Sequence, residues 1–395
     1  MVNHILKNNE SLIKFFIYLF FTSLLVTVLI LTGASQSYSL SITQGFSDVA
    51  SYVRIATTTE NQSFFLLSQD IQLHHLERWP VHTIAGLLAR TLGLPIWDVY
   101  KGGVFSCLFA SALLVLALKC PIRNKLAYFV LIIFSPYTFR IYYGVPGMIS
   151  DCIFYTCIIG FSVGIFNRAF FLISIFTILA CICRQSGALL IPILVIYAYQ
   201  NKISLATTIT SLLSIFICLF FIKYSTHYLF QETDNRYLGR VLFGVFDWAL
   251  GTPHLNELFD FIGRFGLMLA TLSPLVILVK QLNQRSYFYI LGFIIILIQP
   301  LLGGPIITGG NVDRLAIYGL PILGLILLTS PISTFQLIFF IALVFICSFH
   351  PHLTILRDFN LNRYIFVALV IMVTCISTLI WINKTRQAPS VKFIA

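Results

Sequence analysis

The sequence predicts an all-α fold, a polytopic bundle of about 10–12 transmembrane helices with interfacial helices in a long first outer loop. Three observations predict it. Of 395 residues, 58% are hydrophobic and only 10% charged, against about 45–50% and about 25% in soluble domains. Mean hydropathy is +0.92. The apolar residues gather in runs of about 20, long enough for a helix that satisfies its own backbone polar groups to cross a bilayer. The same figures exclude a soluble fold, disorder, a coiled coil, a repeat solenoid and a β-barrel of alternating strands about 10 residues long.

The chain reads as one integral membrane domain, 1–395. Its first apolar run, 15–33, is longer than a signal-peptide core of about 7–15 residues and reads as an uncleaved signal anchor. Further spans fall near 103–118, 126–140, 151–166, 169–183, 188–199, 205–222, 264–279, 287–302, 314–329, 332–348 and 363–382. The piece 188–199 is short enough to be re-entrant or part of a kinked span. Nine cysteines lie in or beside these runs with no CxxC, which reads as small apolar side chains and not as a disulfide frame or zinc site.

Charge fixes the sidedness. Lys119, Arg123, Lys125, Arg168, Lys202, Lys280 and Arg285 occupy short joins, and Lys7, Lys14, Lys384, Arg386 and Lys392 the tails. Those 12 of the 25 basic residues share their side with Glu10 alone among the acids. By the positive-inside rule that side, with both termini, is cytoplasmic. The net charge of +11 is then a topology signal and not a nucleic-acid footprint. Polar chemistry faces outward, chiefly in the loops 34–102 and 223–263, so any reaction belongs to the extracytoplasmic face. The sequence has no P-loop and no long cytoplasmic segment, which speaks against a nucleotide-driven pump.

In the first outer loop, Asp48, Tyr52 and Ile55 recur at i, i+4 and i+7, putting a carboxylate above a tyrosine on one helix face. A second stretch, Trp79-Pro80 to Leu94, sets Ile84, Leu87, Leu88 and Thr91 on one side. Between them lies His74-His75-Leu76-Glu77-Arg78. Asp151 enters one span in Gly144-Val145-Pro146-Gly147-Met148-Ile149-Ser150-Asp151, and Arg184 follows another in Cys183-Arg184-Gln185-Ser186-Gly187. Asp313-Arg314 opens a late span after four glycines.

In this order of features the chain resembles the GT-C class of glycosyltransferases, which take a sugar from a polyprenyl-phosphate carrier on the outer leaflet. The resemblance implies a membrane enzyme that modifies a surface glycan, lipid or protein, and the chain's Phe, Ile and Lys usage points to a bacterial inner membrane. It implies that Asp48 acts on the acceptor hydroxyl as a general base, although members often carry a pair of acids where this chain has one. No soluble cofactor is implied. Some members use a divalent metal, but no ligand set stands out here.

Each site residue has a plainer reading. Asp48 serves either as a helix N-cap or as a ligand or catalytic group. Arg54 contacts a lipid phosphate or snorkels at the interface. His75 belongs to a solvated turn, a proton relay or a sugar contact. Arg78 suits a phosphate, because guanidinium forks match its oxygens. Asp151 and Arg184 sit at the outer lips of spans, where a charge needs a polar cavity or a partner; they either pair with each other or share such a cavity, with Arg184 the best contact for the carrier phosphate. Asp313 and Arg314 cap a tight turn or approach a ligand. Two other classes stay open. A repeat-unit polymerase is suggested by Arg240 and Gly251, whose spacing is similar to an arginine-and-glycine signature of O-antigen polymerases. A transporter or flippase would need charges near the midplane and an internal repeat, and neither appears.

Overall fold

A computed structural model describes residues 48–58, 71, 73–135, 138, 146–230, 244–251, 255–278, 282–305, 312–329, 331–347 and 362–387. The first apolar run, 15–33, lies outside them, as does Arg240. Along the chain the helices are α1 (Asp48–Thr58), α2 (Leu73–Leu76), α3 (Trp79–Leu92), α4 (Ile96–Leu116), α5 (Ile122–Phe134), α6 (Ile149–Asn167), α7 (Phe170–Cys183) and α8 (Leu190–Gln200). After these come α9 (Leu205–Phe230), α10 (Leu255–Thr271), α11 (Leu275–Leu278), α12 (Gln284–Gly303), α13 (Val312–Ala316), α14 (Leu320–Gly324), α15 (Thr334–Cys347) and α16 (Asn362–Gln387). No strand occurs among the described residues, so the fold is the all-α bundle the composition predicts. Among the described residues, five helical stretches are long and apolar enough to cross a membrane: Ile96–Leu116, Pro146–Asn167, Leu205–Phe230, Leu255–Leu278 and Gln284–Gly303. Shorter apolar helices include Phe170–Cys183 and Thr334–Cys347.

Several boundaries differ from the sequence reading, for local reasons. Helix α4 begins at Ile96 and not near 103, because Asp98 and Lys101 interrupt the apolar run without interrupting the helix. Helix α9 runs on to Phe230, and α10 already begins at Leu255. The outer segment 223–263 is therefore helical at both ends. The run 188–199 is a 3₁₀ turn, Gln185–Leu189, leading into α8. The run 314–329 is broken into short α and 3₁₀ pieces around Pro321, whose ring cannot continue a regular helix. All nine cysteines are free of disulfides, as expected, with six buried, Cys120 and Cys218 half-buried and Cys375 exposed.

The chain forms two compact units, Met1–Lys119 with Arg140–Gly244, and Cys120–Phe139 with Val245–Ala395. In the first, α6 is the central element, buried along nearly its whole length between α4 and α7. Gly160 and Gly164, one turn apart, let α7 approach closely: a methyl at either would collide with Phe176 or Ile173. This is the small-residue packing by which membrane helices associate without a hydrophobic driving force. The far end of α6 is tied to α4, where Asn167 Nδ2 donates to the Ala117 carbonyl at 2.9 Å. Helix α3 buries Val81, His82, Ala85 and Gly86 and turns Ile84, Leu87, Leu88 and Leu92 outward. That outward apolar stripe is the face an interfacial helix presents to lipid. Helix α9 is almost wholly exposed along an apolar surface.

In the second unit α5 packs on α15, α12 on α13 and α14, and α10 on α16. Asn124 and Tyr128 of α5 donate to the carbonyls of Leu327 (2.7 Å) and Pro321 (2.9 Å). These side chains satisfy backbone groups that the broken 314–329 segment leaves without helical partners.

Candidate functional site

The site is assembled at the end of the first unit where α6 begins. Helix α1 carries Asp48 and Tyr52 on one face, as their spacing predicts. It packs against the 3₁₀ turn Pro146–Met148, where Gly147 leaves room for Val49; a methyl there would overlap the valine. The turn leads directly into α6, so Asp151, in the first turn of that helix, lies beside α1. Arg184 ends α7 in extended conformation, and its carbonyl accepts from Gly187 N–H at 2.9 Å. Gly187 lies flat against α7, where a Cβ would be 2.5 Å from Cys181 N. Arg78 immediately precedes α3, its backbone N–H donating to the His75 carbonyl at 3.1 Å.

These segments bring two arginines onto one carboxylate. Arg184 Nη1 pairs with Asp151 Oδ1, and Arg78 Nη1 lies 3.6 Å from Asp151 Oδ2. The side chains of Asp151, Arg78 and Arg184 are 0%, 3% and 6% exposed. Buried charges are costly unless paired and hydrogen-bonded, and the three share one network. Arg78 also donates to the Tyr52 hydroxyl, with its guanidinium carbon 5.2 Å from the Tyr52 ring centroid. Alongside, Gln185 donates to Glu77. The turn before α3 and the turn after α7 are thus tied twice through consecutive residues, Glu77 to Gln185 and Arg78 through Asp151 to Arg184. Burial raises the pKa of Glu77, and the nearby Lys223 opposes that rise.

Tyr52 is the hub. Its ring stacks on His82, with centroids 4.3 Å apart and planes 6° apart, and meets His75 edge-on at 5.3 Å. The Tyr100 hydroxyl donates to the Tyr52 carbonyl at 3.3 Å, so it accepts from His82 Nδ1 at 2.9 Å. That assigns the proton of His82 to Nδ1 and leaves Nε2 a buried acceptor with no hydrogen-bond partner among the described residues. Burial first, then Arg78 and His75, hold the His82 pKa well below the usual histidine range. His75 Nε2 is 3.3 Å from Asp48 Oδ1. With its side chain 35% exposed, Asp48 forms the open edge of the cluster.

Comparison with protein-family models, curated proteins and solved structures finds no match.

Six of the residues named from the sequence, Asp48, Tyr52, His75, Arg78, Asp151 and Arg184, therefore meet in one place. Arg54 does not join them: two positions beyond Tyr52, it is about 200° around the helix and exposed. Arg184, expected to contact a carrier phosphate directly, is engaged with Asp151 and nearly closed off. Arg314 lies on α13 in the second unit, and the Asp313 side chain is outside the described residues. His82, Tyr100, Glu77 and Gln185 are site residues the sequence reading missed. His82 stands four positions after Arg78, a helical spacing that places both on one face. Asp48 and His75 supply two potential metal ligands, but among the described residues no group of three or more His, Cys, Asp and Glu side chains is arranged to hold an ion.

Proposed function

We propose that the chain is an integral membrane glycosyltransferase of the GT-C type, passing a sugar from a polyprenyl-phosphate carrier to a hydroxyl of a surface glycan, lipid or protein on the extracytoplasmic face. The observation that carries this reading is the buried Arg78–Asp151–Arg184 network beneath the open Asp48 carboxylate. Two guanidinium groups gathered at one carboxylate concentrate forked N–H donors, the geometry that matches the oxygens of a phosphate diester and of the phosphate that leaves it.

In the transfer, the acceptor oxygen attacks the anomeric carbon as that carbon's bond to the phosphate oxygen breaks. Asp48 takes the acceptor proton as general base, with His75 holding the carboxylate. The electron pair departs with the phosphate, whose growing charge Arg78 meets, while Arg184 holds Asp151 in place. Tyr52 covers Arg78 in the present state, so the reading requires α1 to move outward when the carrier enters.

The test compares envelope glycan and glycolipid masses from cells with the protein, cells lacking it, and cells with Asp48→Asn at matched protein level. Loss of one sugar mass in the latter two supports the reading. Unchanged masses in cells lacking the protein overturn it.

A further inference from the structure

At the opposite end of α6 and α7 from this site, the first unit has a cleft of about 460 Å³ between α7, the α8–α9 turn and the start of α9. That is the size of a small-ligand pocket. Helix α6, with 19 residues, is about 28 Å long, close to the thickness of the hydrocarbon core. A site at the start of α6 and a cleft past its end therefore belong to opposite membrane faces.

The lining is amphipathic in a particular way. Phe170 and Phe171 form one wall, with Phe171 73% exposed. Ser174 lies on the same helix, and the opposite side carries Lys202 and the hydroxyls of Ser204, Thr207 and Ser211, with no carboxylate among the described lining residues. Lys202 makes no ion pair among the described residues. Ser204 and Thr207 share one hydrogen bond at 2.6 Å, which leaves one of their two hydroxyl protons available. The Ser174 hydroxyl lies within hydrogen-bond reach of both the Phe170 carbonyl (3.1 Å) and Ser211 Oγ (3.0 Å), joining α7 to α9 in the floor of the cleft. The first turn of α9, with its Thr207 N–H capped by Ser204 Oγ at 3.1 Å, adds the positive end of its dipole.

The turn at Lys202 fixes where its side chain leaves the backbone. Its φ is +53°, in the left-handed region that favours glycine. It occupies the C′ position of a Schellman turn, with Ile203 N–H donating to the Ala198 carbonyl at 3.0 Å and Lys202 N–H to that of Tyr199 at 3.2 Å. Helix α3 ends in the same turn with Gly93 at this position, φ +64°. Helix α6 ends in the same turn with Arg168 at φ +59°, so two basic residues close helices in this way on this side of the first unit, and Lys202 is the one that lines the cleft.

We infer that this cleft binds the anionic headgroup of a membrane phospholipid, with Lys202 and the Ser204, Thr207 and Ser211 hydroxyls on its phosphate and the acyl chains running along Phe171. The leaflet is the one at which the α6–α7 and α8–α9 turns emerge, the cytoplasmic one by the distribution of basic joins. The inference does not depend on the transfer reaction.

The test uses the full-length protein in nanodiscs of mixed phosphatidylglycerol and phosphatidylcholine, with retained lipid read by native mass spectrometry. The wild type is expected to retain phosphatidylglycerol over phosphatidylcholine by about five-fold. Lys202→Gly should abolish that preference while leaving thermal stability equal or higher, because glycine relieves the backbone. Lys202→Arg should keep the preference. Lys119→Gln, another basic join outside the cleft, should also keep it. Equal retention of both lipids by the wild type overturns the proposal, as does an unchanged preference in Lys202→Gly. An equal loss in Lys119→Gln would show a general basic belt instead of a site. Displacement of the lipid by millimolar inorganic phosphate would show a free-phosphate site instead.

Discussion

Asp48 faces His75 across the gap between α1 and α2, with carboxylate and imidazole 3.3 Å apart at the exposed edge of an otherwise closed polar cluster. This placement separates catalysis from stability. Asp48→Asn should lower transfer by about 10²–10⁴-fold, the loss typical of a missing general base. Because the carboxylate is partly exposed, thermal stability should fall by no more than about 1 kcal/mol. Activity in isolated membranes and unfolding of the purified protein check the two halves.

Asp151 should behave in the opposite way. Asp151→Ala leaves two buried guanidinium groups without their shared carboxylate and should cost about 3–5 kcal/mol. Replacing the close pair together, Asp151→Leu with Arg184→Met, should recover most of that stability but no activity, since well-packed apolar residues often substitute for a buried ion pair. Unfolding followed by intrinsic fluorescence in detergent distinguishes these outcomes, and an unchanged midpoint in Asp151→Ala would contradict the buried network.

Gly187 holds Arg184 in position through a close approach of backbone to backbone. Gly187→Ala should destabilise by about 1–3 kcal/mol, the usual cost of overpacking, and lower activity with it. Gly102, in α4, has nothing within 4 Å of the position a Cβ would take. Gly102→Ala should therefore be neutral or stabilising by up to about 1 kcal/mol. Paired melting curves of the two variants provide the comparison.

His82 gives the site a pH signature. Its folded-state pKa lies well below the unfolded value of about 6.5, so between the two the unfolded chain binds a proton that the folded chain does not. Stability attributable to His82 is present above about pH 6.5 and lost below it, by about 1.4 kcal/mol per pH unit. Glu77, raised by burial, acts in the other direction above its ordinary carboxyl range. The difference between wild type and His82→Gln isolates the histidine: melting temperature from pH 7.5 to 5.5 should fall less steeply in the variant.

Much of this site was legible because charge is rare in the chain. Asp151 and Arg184 at the lips of apolar runs, and Asp48 with Tyr52 at helical spacing, stand out against a background that is 10% charged. What the sequence could not show was which charges satisfy one another. The pairing of Asp151 with Arg184 was one of two readings the sequence left open, and that Arg78 also reaches the same carboxylate is legible only once the fold places it there. His82 and Tyr100 were hidden for another reason. His82 lies within an amphipathic helix, where a single histidine reads as part of the packed face. Tyr100 lies in the part of α4 that Asp98 and Lys101 made look like loop. Helix ends were legible to within a few residues wherever the apolar run alone forms the helix, as in α6 and α7, but not where charged residues extend it.

The division of labour between Asp48 and Arg78 is tested most directly by measuring polyprenyl-monophosphate binding and sugar transfer on the same purified protein, wild type against Asp48→Asn and Arg78→Gln. Asp48→Asn should bind the carrier phosphate as the wild type does and transfer nothing. Arg78→Gln should bind about 10-fold or more weakly, the loss of a charge-assisted hydrogen bond. Wild-type transfer by Asp48→Asn, or wild-type carrier binding by Arg78→Gln, would contradict the assignment.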